Sequence, residues 1–248
     1  MSILITGASG MLGKSLNKLY IDASVICGRS QLDLSDIDET QKWMKGKHYS
    51  TIIHAAAFTD LNYCKNNIDK AIILHASIVD VLSEHCDRLV YISTVPMWKK
   101  SEYLPNVYFE TKKLGEQVAL KKTGNIVVRT NIYGPSSLVD WAYQSLKQKQ
   151  QINGYENVIF NPVHVDQLSA WICDILKQDA QKQILTISGS RILSKYQFLK
   201  EIAEMMHLDS SLVFPITLPQ EQDLKLEDPD QVCSFKKGME LIKNDYKN

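Results

Sequence analysis

The chain has 248 residues, 44% of them hydrophobic, with 28 basic and 28 acidic side chains and no formal net charge. That length buries the core of one large domain, or of one domain with a small appendage. Balanced charge argues against nucleic acid or an anionic membrane as the main partner, and no apolar run is long enough to span a bilayer.

The predicted elements alternate from the start. Ile3-Leu4-Ile5 is an apolar strand that runs into Thr6-Gly7-Ala8-Ser9-Gly10-Met11-Leu12-Gly13. Gly7 permits a tight turn, Gly10 lets the main chain approach a pyrophosphate, and Gly13 lets strand and helix pack closely. Met11 to Tyr20, with Leu12, Leu16 and Leu19 at helical spacing, is the helix whose first N–H groups would face the phosphates. Strand two is Ala23 to Cys27, a short helix covers Asp38 to Met44, and strand three is Thr51 to His54. A long helix covers Ile68 to Cys86, strand four is Leu89 to Ser93, a helix covers Val107 to Lys121, and strand five is Ile126 to Arg129. Beyond Gly134-Pro135 helices are expected at Leu138 to Lys147, Val165 to Leu176 and Ser194 to Met206, with an apolar run at Ile184 to Ile187. This βαβ rhythm specifies an α/β fold with a doubly wound parallel sheet.

The five cysteines, Cys27, Cys64, Cys86, Cys173 and Cys233, are scattered and odd in number. They suggest neither a disulfide framework nor a zinc site, and no metal is expected. With no basic segment followed by an apolar one at the start, the protein is expected to be cytoplasmic. His164 and Asp166, two residues apart at a strand-to-helix junction, read as a turn and a helix cap.

A second constellation is Tyr108-Phe109-Glu110-Thr111-Lys112. Tyrosine and lysine four apart share one helix face. Removing a phenolic proton at neutral pH costs roughly 4 kcal/mol, which a nearby cation at intermediate dielectric offsets. Tyr108 is thereby a competent proton donor or acceptor. Ser93-Thr94 closes strand four, and in an open α/β sheet the ligand crevice lies at the carboxyl ends of the strands, so Thr94 and Tyr108 should meet there.

Together these segments resemble the extended short-chain dehydrogenases/reductases, and within them the dTDP-4-dehydrorhamnose reductase group. Thr6 to Gly13, Ala55-Ala56-Ala57-Phe58-Thr59, Ser93-Thr94, Tyr108 with Lys112, Arg129-Thr130-Asn131-Ile132-Tyr133-Gly134-Pro135 and Asn161 to Leu168 carry the resemblance. It implies a Rossmann-type domain over 1–134 that binds NADP(H), and a small C-terminal α/β substrate-binding part over 135–248, interwoven with the sheet edge as one globular unit. It implies a nucleotide-linked sugar as substrate and pairing of two copies through Rossmann helices. In that setting Tyr108 would protonate the sugar carbonyl, Thr94 would hydrogen-bond the same oxygen, and Lys112 would bind the nicotinamide ribose and tune Tyr108. The cofactor would lie against Gly7, Ser9, Gly10, Met11, Leu12, Gly13, Arg29, Ser30, Asp33, Leu34, Ala55, Ala56, Ala57, Tyr108, Lys112 and Asn131.

Cofactor choice turns on Arg29-Ser30 at the end of strand two. An acidic residue there would accept from the adenosine ribose and repel a 2′-phosphate, whereas Arg29 and Ser30 favour the phosphate and therefore NADPH. The alternative is a merely solvated Arg29. Dehydratases of the superfamily carry an Asp-Glu pair after the strand-four threonine; here Val95 and Pro96 stand there, which disfavours elimination. Ketone reduction is the preferred reading, with a non-catalytic NADP-binding regulatory subunit and a nucleotide-sugar epimerase as alternatives. Several places depart from the family pattern. His54 and His75 stand where asparagine is frequent and read as satisfied structural residues. The loop over 95–107 is short and starts Val95-Pro96-Met97-Trp98-Lys99-Lys100, and Glu227-Asp228-Pro229 replaces an Arg-Pro.

Overall fold

In the computed structural model residues 2–26, 28–97, 105–135, 138–178 and 183–246 are described. Cys27 and the loop residues Trp98, Lys99 and Lys100 lie outside them. Two compact units divide the chain: residues 1–129 with 169–185, and residues 130–168 with 186–248. The first boundary thus precedes the 134/135 division expected from sequence, because the strand of residues 126–130 ends the alternating βα series, and residues 169–185 return to the first unit.

The first unit is built from β1 (Ile3–Thr6), α1 (Met11–Leu19), β2 (Ser24–Ile26), α2 (Ile37–Met44), β3 (Tyr49–His54), α3 (Leu61–Asn66), α4 (Ile68–Ile72), a π-helical turn (Ile73–Ser77), α5 (Ile78–Glu84), β4 (Cys86–Ser93), α6 (Val107–Ala119) and β5 (Ile126–Thr130). Next come β6 (Ile132–Tyr133), α7 (Leu138–Lys147), β7 (Ile152–Tyr155), β8 (Val158–Phe160), β9 (Val163–His164), α8 (Val165–Lys177), β10 (Ile184–Gly189), β11 (Leu193–Ser194), α9 (Lys195–Met205), β12 (Val213–Ile216), β13 (Gln222–Leu224), β14 (Gln231–Cys233) and α10 (Phe235–Asp245). A seven-stranded sheet has the order β14-β10-β5-β4-β3-β1-β2. The pairings of β1 with β2 and β3, of β4 with β3 and β5, and of β10 with β14 are all parallel.

Strands β1, β3 and β4 read as near-continuous apolar runs because helices cover both faces of such a sheet. Leu4, Ile26, Ile52, Leu89 and Val127 join Ile78, Val79, Leu82 and Met44 of the helices in one buried cluster. Side-chain caps decide where several helices begin: Asp36 accepts the Glu39 N–H at α2, Asp60 the Tyr63 N–H at α3, and Asn106 the Phe109 N–H at α6. In the second unit Tyr133, Phe160, Phe198, Phe235 and Ile242 form a separate apolar cluster.

The expected long helix from Ile68 to Cys86 is interrupted. Between α4 and α5 the backbone widens into the π turn, and Cys86 belongs to β4 opposite Tyr49. Two carbonyls at the turn take side-chain donors: Leu74 O from His54 Nε2 at 3.1 Å and His75 O from Tyr91 Oη at 2.8 Å. Periodicity cannot show such a break, since Ile72, Leu74, Ile78 and Val79 suit a continuous helix as well. Two helices, α3 and α10, were not anticipated from sequence, although Asp60 and Ser234 cap them.

Candidate active site

The glycine loop between β1 and α1 is a cradle with no room for side chains at its base. A Cβ on Gly7 would stand 2.7 Å from Ala56 Cα, and Gly7 itself has φ +68°, so both space and conformation demand glycine. A Cβ on Gly13 would stand 2.1 Å from Gly7 O. Gly10 precedes α1 without a side-chain cap, and the first turn of α1 carries no acidic residue. The helix start is therefore open to an anion.

Above this cradle lies a cavity of about 390 Å³ lined by Gly7, Ser9, Gly10, Gly28, Arg29, Asp33, Leu34 and Ala55 to Ala57, together with Ile26, Leu32, Phe58 and Leu74. The latter four are apolar walls not among the cofactor residues expected from sequence: Phe58 stood only in the segment that carries the resemblance, and the other three are apolar positions whose facing the sequence does not show. Met11, Leu12, Gly13 and Ser30 do not line it: Leu12 is in the core, and Gly13 packs beneath Gly7. Asn131 lies in the second unit, where its side-chain amide donates to Leu224 O. Tyr108 and Lys112 lie away from this lining, on α6.

Their surroundings form a second part of the first unit. Tyr108 and Thr94 share a side-chain hydrogen bond, the meeting anticipated from strand four and α6. Burial raises the phenol above its ordinary value, with the Thr94 bond opposing that rise. Lys112 is almost wholly buried; its Nζ donates to Ile92 O at 2.6 Å and sits 4.1 Å from the Tyr91 ring centroid. Burial pulls its ammonium down to about 7, against the attraction of Glu116. Glu116 in turn accepts from Ser93 Oγ at 2.6 Å and from Arg129 Nε at 2.9 Å, a buried pair that ties α6 to β4 and β5.

His54 and His75 are satisfied structural residues, as read from sequence. Thr6 Oγ1 lies 2.8 Å from His54 Nδ1, and His54 Nε2 donates to Leu74 O, so the ring carries its proton on Nε2. His75 Nε2 accepts the Phe58 N–H at 3.0 Å, leaving Nδ1 to donate to Thr111 Oγ1 at 2.8 Å, and Thr111 passes its proton to Val107 O at 2.7 Å. Burial holds His54 down at about 4 and His75 lower still, with Lys112 contributing to both. Both rings are neutral at physiological pH. They join the cavity wall, through Phe58 and Leu74, to the α6 turn that carries Tyr108. His164, in the second unit, accepts the Asp166 N–H on Nδ1 at 3.2 Å, the turn-and-cap arrangement expected there.

Similarity to known proteins follows this architecture. The curated relatives include the spore coat polysaccharide biosynthesis protein SpsK of Bacillus subtilis, 22% identical over 85% of this chain and 81% of that protein. They also include a dTDP-4-dehydrorhamnose reductase of Aggregatibacter actinomycetemcomitans, 30% identical over 52% of this chain and 50% of that one, and the methionine adenosyltransferase 2 subunit beta of Pongo abelii, 27% identical over 87% and 75%. Among solved structures, dTDP-4-dehydrorhamnose reductase from Bacillus anthracis in complex with NADP matches with a TM-score of 0.85 at 22% identity, covering 99% of this chain and 100% of that one. The sequence model described as RmlD substrate binding domain matches residues 1–231, and the chain therefore belongs to the RmlD family of extended short-chain dehydrogenases/reductases.

Proposed function

We propose that the protein is an NADPH-dependent reductase of a 4-keto-6-deoxy nucleotide sugar, acting in the synthesis of surface polysaccharide. The observation that carries this reading is the Thr94–Tyr108 hydrogen bond beside a buried Lys112, in the same unit as a glycine cradle that leaves no room for a side chain at Gly7 or Gly13. The named reductases and the polysaccharide protein among the relatives support it.

The residues present fit the cofactor. Gly7, Ser9, Gly10 and the first N–H groups of α1 would hold the diphosphate, Arg29 and Ser30 the 2′-phosphate, and Asp33 with Leu34 the adenine. Ala55 to Ala57 would let the dinucleotide lie flat on the ends of the strands. When bound, NADPH supplies the hydride that reduces the ketone carbon.

The protein's own part is the proton. Tyr108 Oη keeps its proton at neutral pH as an ordinary phenol does, burial reinforcing this, and gives it up to the far more basic oxyanion that forms as the carbonyl is reduced. Thr94 Oγ1 holds the same oxygen in place. Lys112, fixed by Ile92 O and the Tyr91 ring, lowers the cost of the phenolate left behind. General acid assistance of this kind contributes on the order of 10²–10⁴ in rate, with positioning supplying the rest.

The same reading makes the protein a cytoplasmic homodimer. Leu61 of α3, Ile68 of α4 and Leu114 of α6 are exposed apolar residues on helices that pack together, which supports pairing through that face. Sedimentation of the full chain as a monomer would remove this part alone.

The test mixes the full chain with NADPH and a panel of nucleotide-linked 4-keto-6-deoxy sugars and follows cofactor absorbance. Oxidation well above background is the expected result. Binding of NADPH without turnover on any member would instead favour a regulatory NADP-binding subunit, a second reading that the likeness to the methionine adenosyltransferase subunit supports.

A further inference from the structure

Arg29 follows Gly28 beyond β2 and lies across two aromatic rings. Its guanidinium carbon is 5.1 Å from the Phe58 ring centroid and 5.9 Å from that of Tyr63. The two rings are themselves 4.7 Å apart and tilted by 45°. Each ring is anchored through its own backbone. The Phe58 N–H donates to His75 Nε2 at 3.0 Å, and the Tyr63 N–H donates to the Asp60 cap at 2.7 Å. Cys64 Sγ donates to Phe58 O at 3.3 Å and closes this short loop.

The acidic neighbour on the cavity wall is already engaged. Asp33 Oδ1 accepts from Ser35 N at 2.9 Å and Ser35 Oγ at 2.6 Å. Among the described residues Arg29 makes no direct ion pair, and from farther off its charge helps to hold the Asp33 carboxyl below its ordinary value. Cation–π attraction to both rings restrains the Arg29 guanidinium, whose planar fork of N–H donors suits a phosphate oxygen pair. An exposed arginine with no such support loses rotamer freedom when it is fixed on a ligand; one already restrained against a ring loses less.

We propose that Phe58 and Tyr63 form a shelf that holds Arg29 in position to read the 2′-phosphate of an adenosine ribose. Tyr63 does not line the cavity; it is a positioning residue that sets preference for NADPH over NADH through Arg29. The proposal rests on the NADPH reading above.

The experiment titrates the full chain with adenosine 2′,5′-bisphosphate and with adenosine 5′-monophosphate by calorimetry, with thermal unfolding as a folding control. The wild type should bind the bisphosphate more tightly. Tyr63→Leu should shrink that affinity ratio by about two- to fivefold, the range a cation–π contact at an exposed site supports. Tyr63→Phe should restore the wild-type ratio, and in an Arg29→Ala background Tyr63→Leu should leave the ratio unmoved. Tyr63→Met, which keeps apolar volume without the π face, serves if the leucine variant does not fold. A ratio unchanged in Tyr63→Leu, or one that falls equally without Arg29, overturns the shelf alone. A wild type that does not distinguish the two nucleotides overturns the NADPH reading as well.

Discussion

Gly115→Ala is the substitution for which intrinsic propensity and packing disagree most sharply. Gly115 is inside α6, where alanine in place of glycine ordinarily gains about 1 kcal/mol. Here the added Cβ would lie 1.9 Å from His75 O and 2.2 Å from Tyr91 Oη. Restoring the 3.4 Å of ordinary contact from 1.9 Å requires α6 to retreat by about 1.5 Å. The obstacle at His75 is backbone carbonyl, held in the π turn by the Tyr91 hydroxyl, so it cannot rotate aside. Overpacking of this degree costs about 1–3 kcal/mol or more, and a displaced Tyr91 hydroxyl left unpaired adds about 1–3 kcal/mol. The expected net effect is a loss of about 2 kcal/mol or more, measured by guanidinium denaturation with unchanged m. Turnover should fall further than stability alone explains, because a shift of about 1 Å in Tyr108 and Lys112 can cost on the order of 10²-fold. A variant as stable as the wild type, or more so, would refute the close packing of α6 on the π turn.

Further outcomes follow from the same site. Tyr108→Phe should abolish reductase turnover while calorimetry still registers NADPH, and unchanged turnover would remove Tyr108 from the proton step. Glu116→Ala should cost about 3–5 kcal/mol in denaturant, because Arg129 is left buried without its main carboxylate; a loss under about 1 kcal/mol would show that water reaches the pair. Lys112 has its folded-state pKa at about 7, below the unfolded value near 10.5, so the buried cation costs stability fully below pH 7 and the cost fades as pH rises toward 10.5. The stability difference between Lys112→Met and wild type should therefore move in favour of the wild type across that window; a difference independent of pH would contradict the desolvated ammonium.

The order of elements was legible in the chain because each carries its own local signature. Apolar runs gave β1, β3 and β4, the first of them ending at Gly7, and helix α7 spans the same residues, Leu138–Lys147, that its periodicity marks. The break at Ile73–Ser77 was not legible, since it arises from donors on β3 and β4, His54 and Tyr91, that are distant in sequence. Helix α3 escaped because six residues are too few to show a period, and only its cap announces it, whereas α10 does carry a helical spacing in Phe235, Met239 and Ile242 that the sequence reading passed over.

The candidate site divides in the same way. Tyr108, Lys112, Thr94 and the three glycines were visible as residue types at telling spacings, because proton transfer and close phosphate approach demand those side chains, or their absence, whatever the fold. Their electrostatic state was not visible. Whether Lys112 is a solvated ammonium or a buried one drawn down to about 7 depends on Ile92, Tyr91 and Glu116, brought together only by the stacking of α6 on β4. Arg29 by itself announced a cationic position at the end of β2, but the rings on which it lies come from beyond β3. Local chemistry is written in the order of residues; burial, dielectric and the rings beside a guanidinium belong to neighbours that only folding supplies.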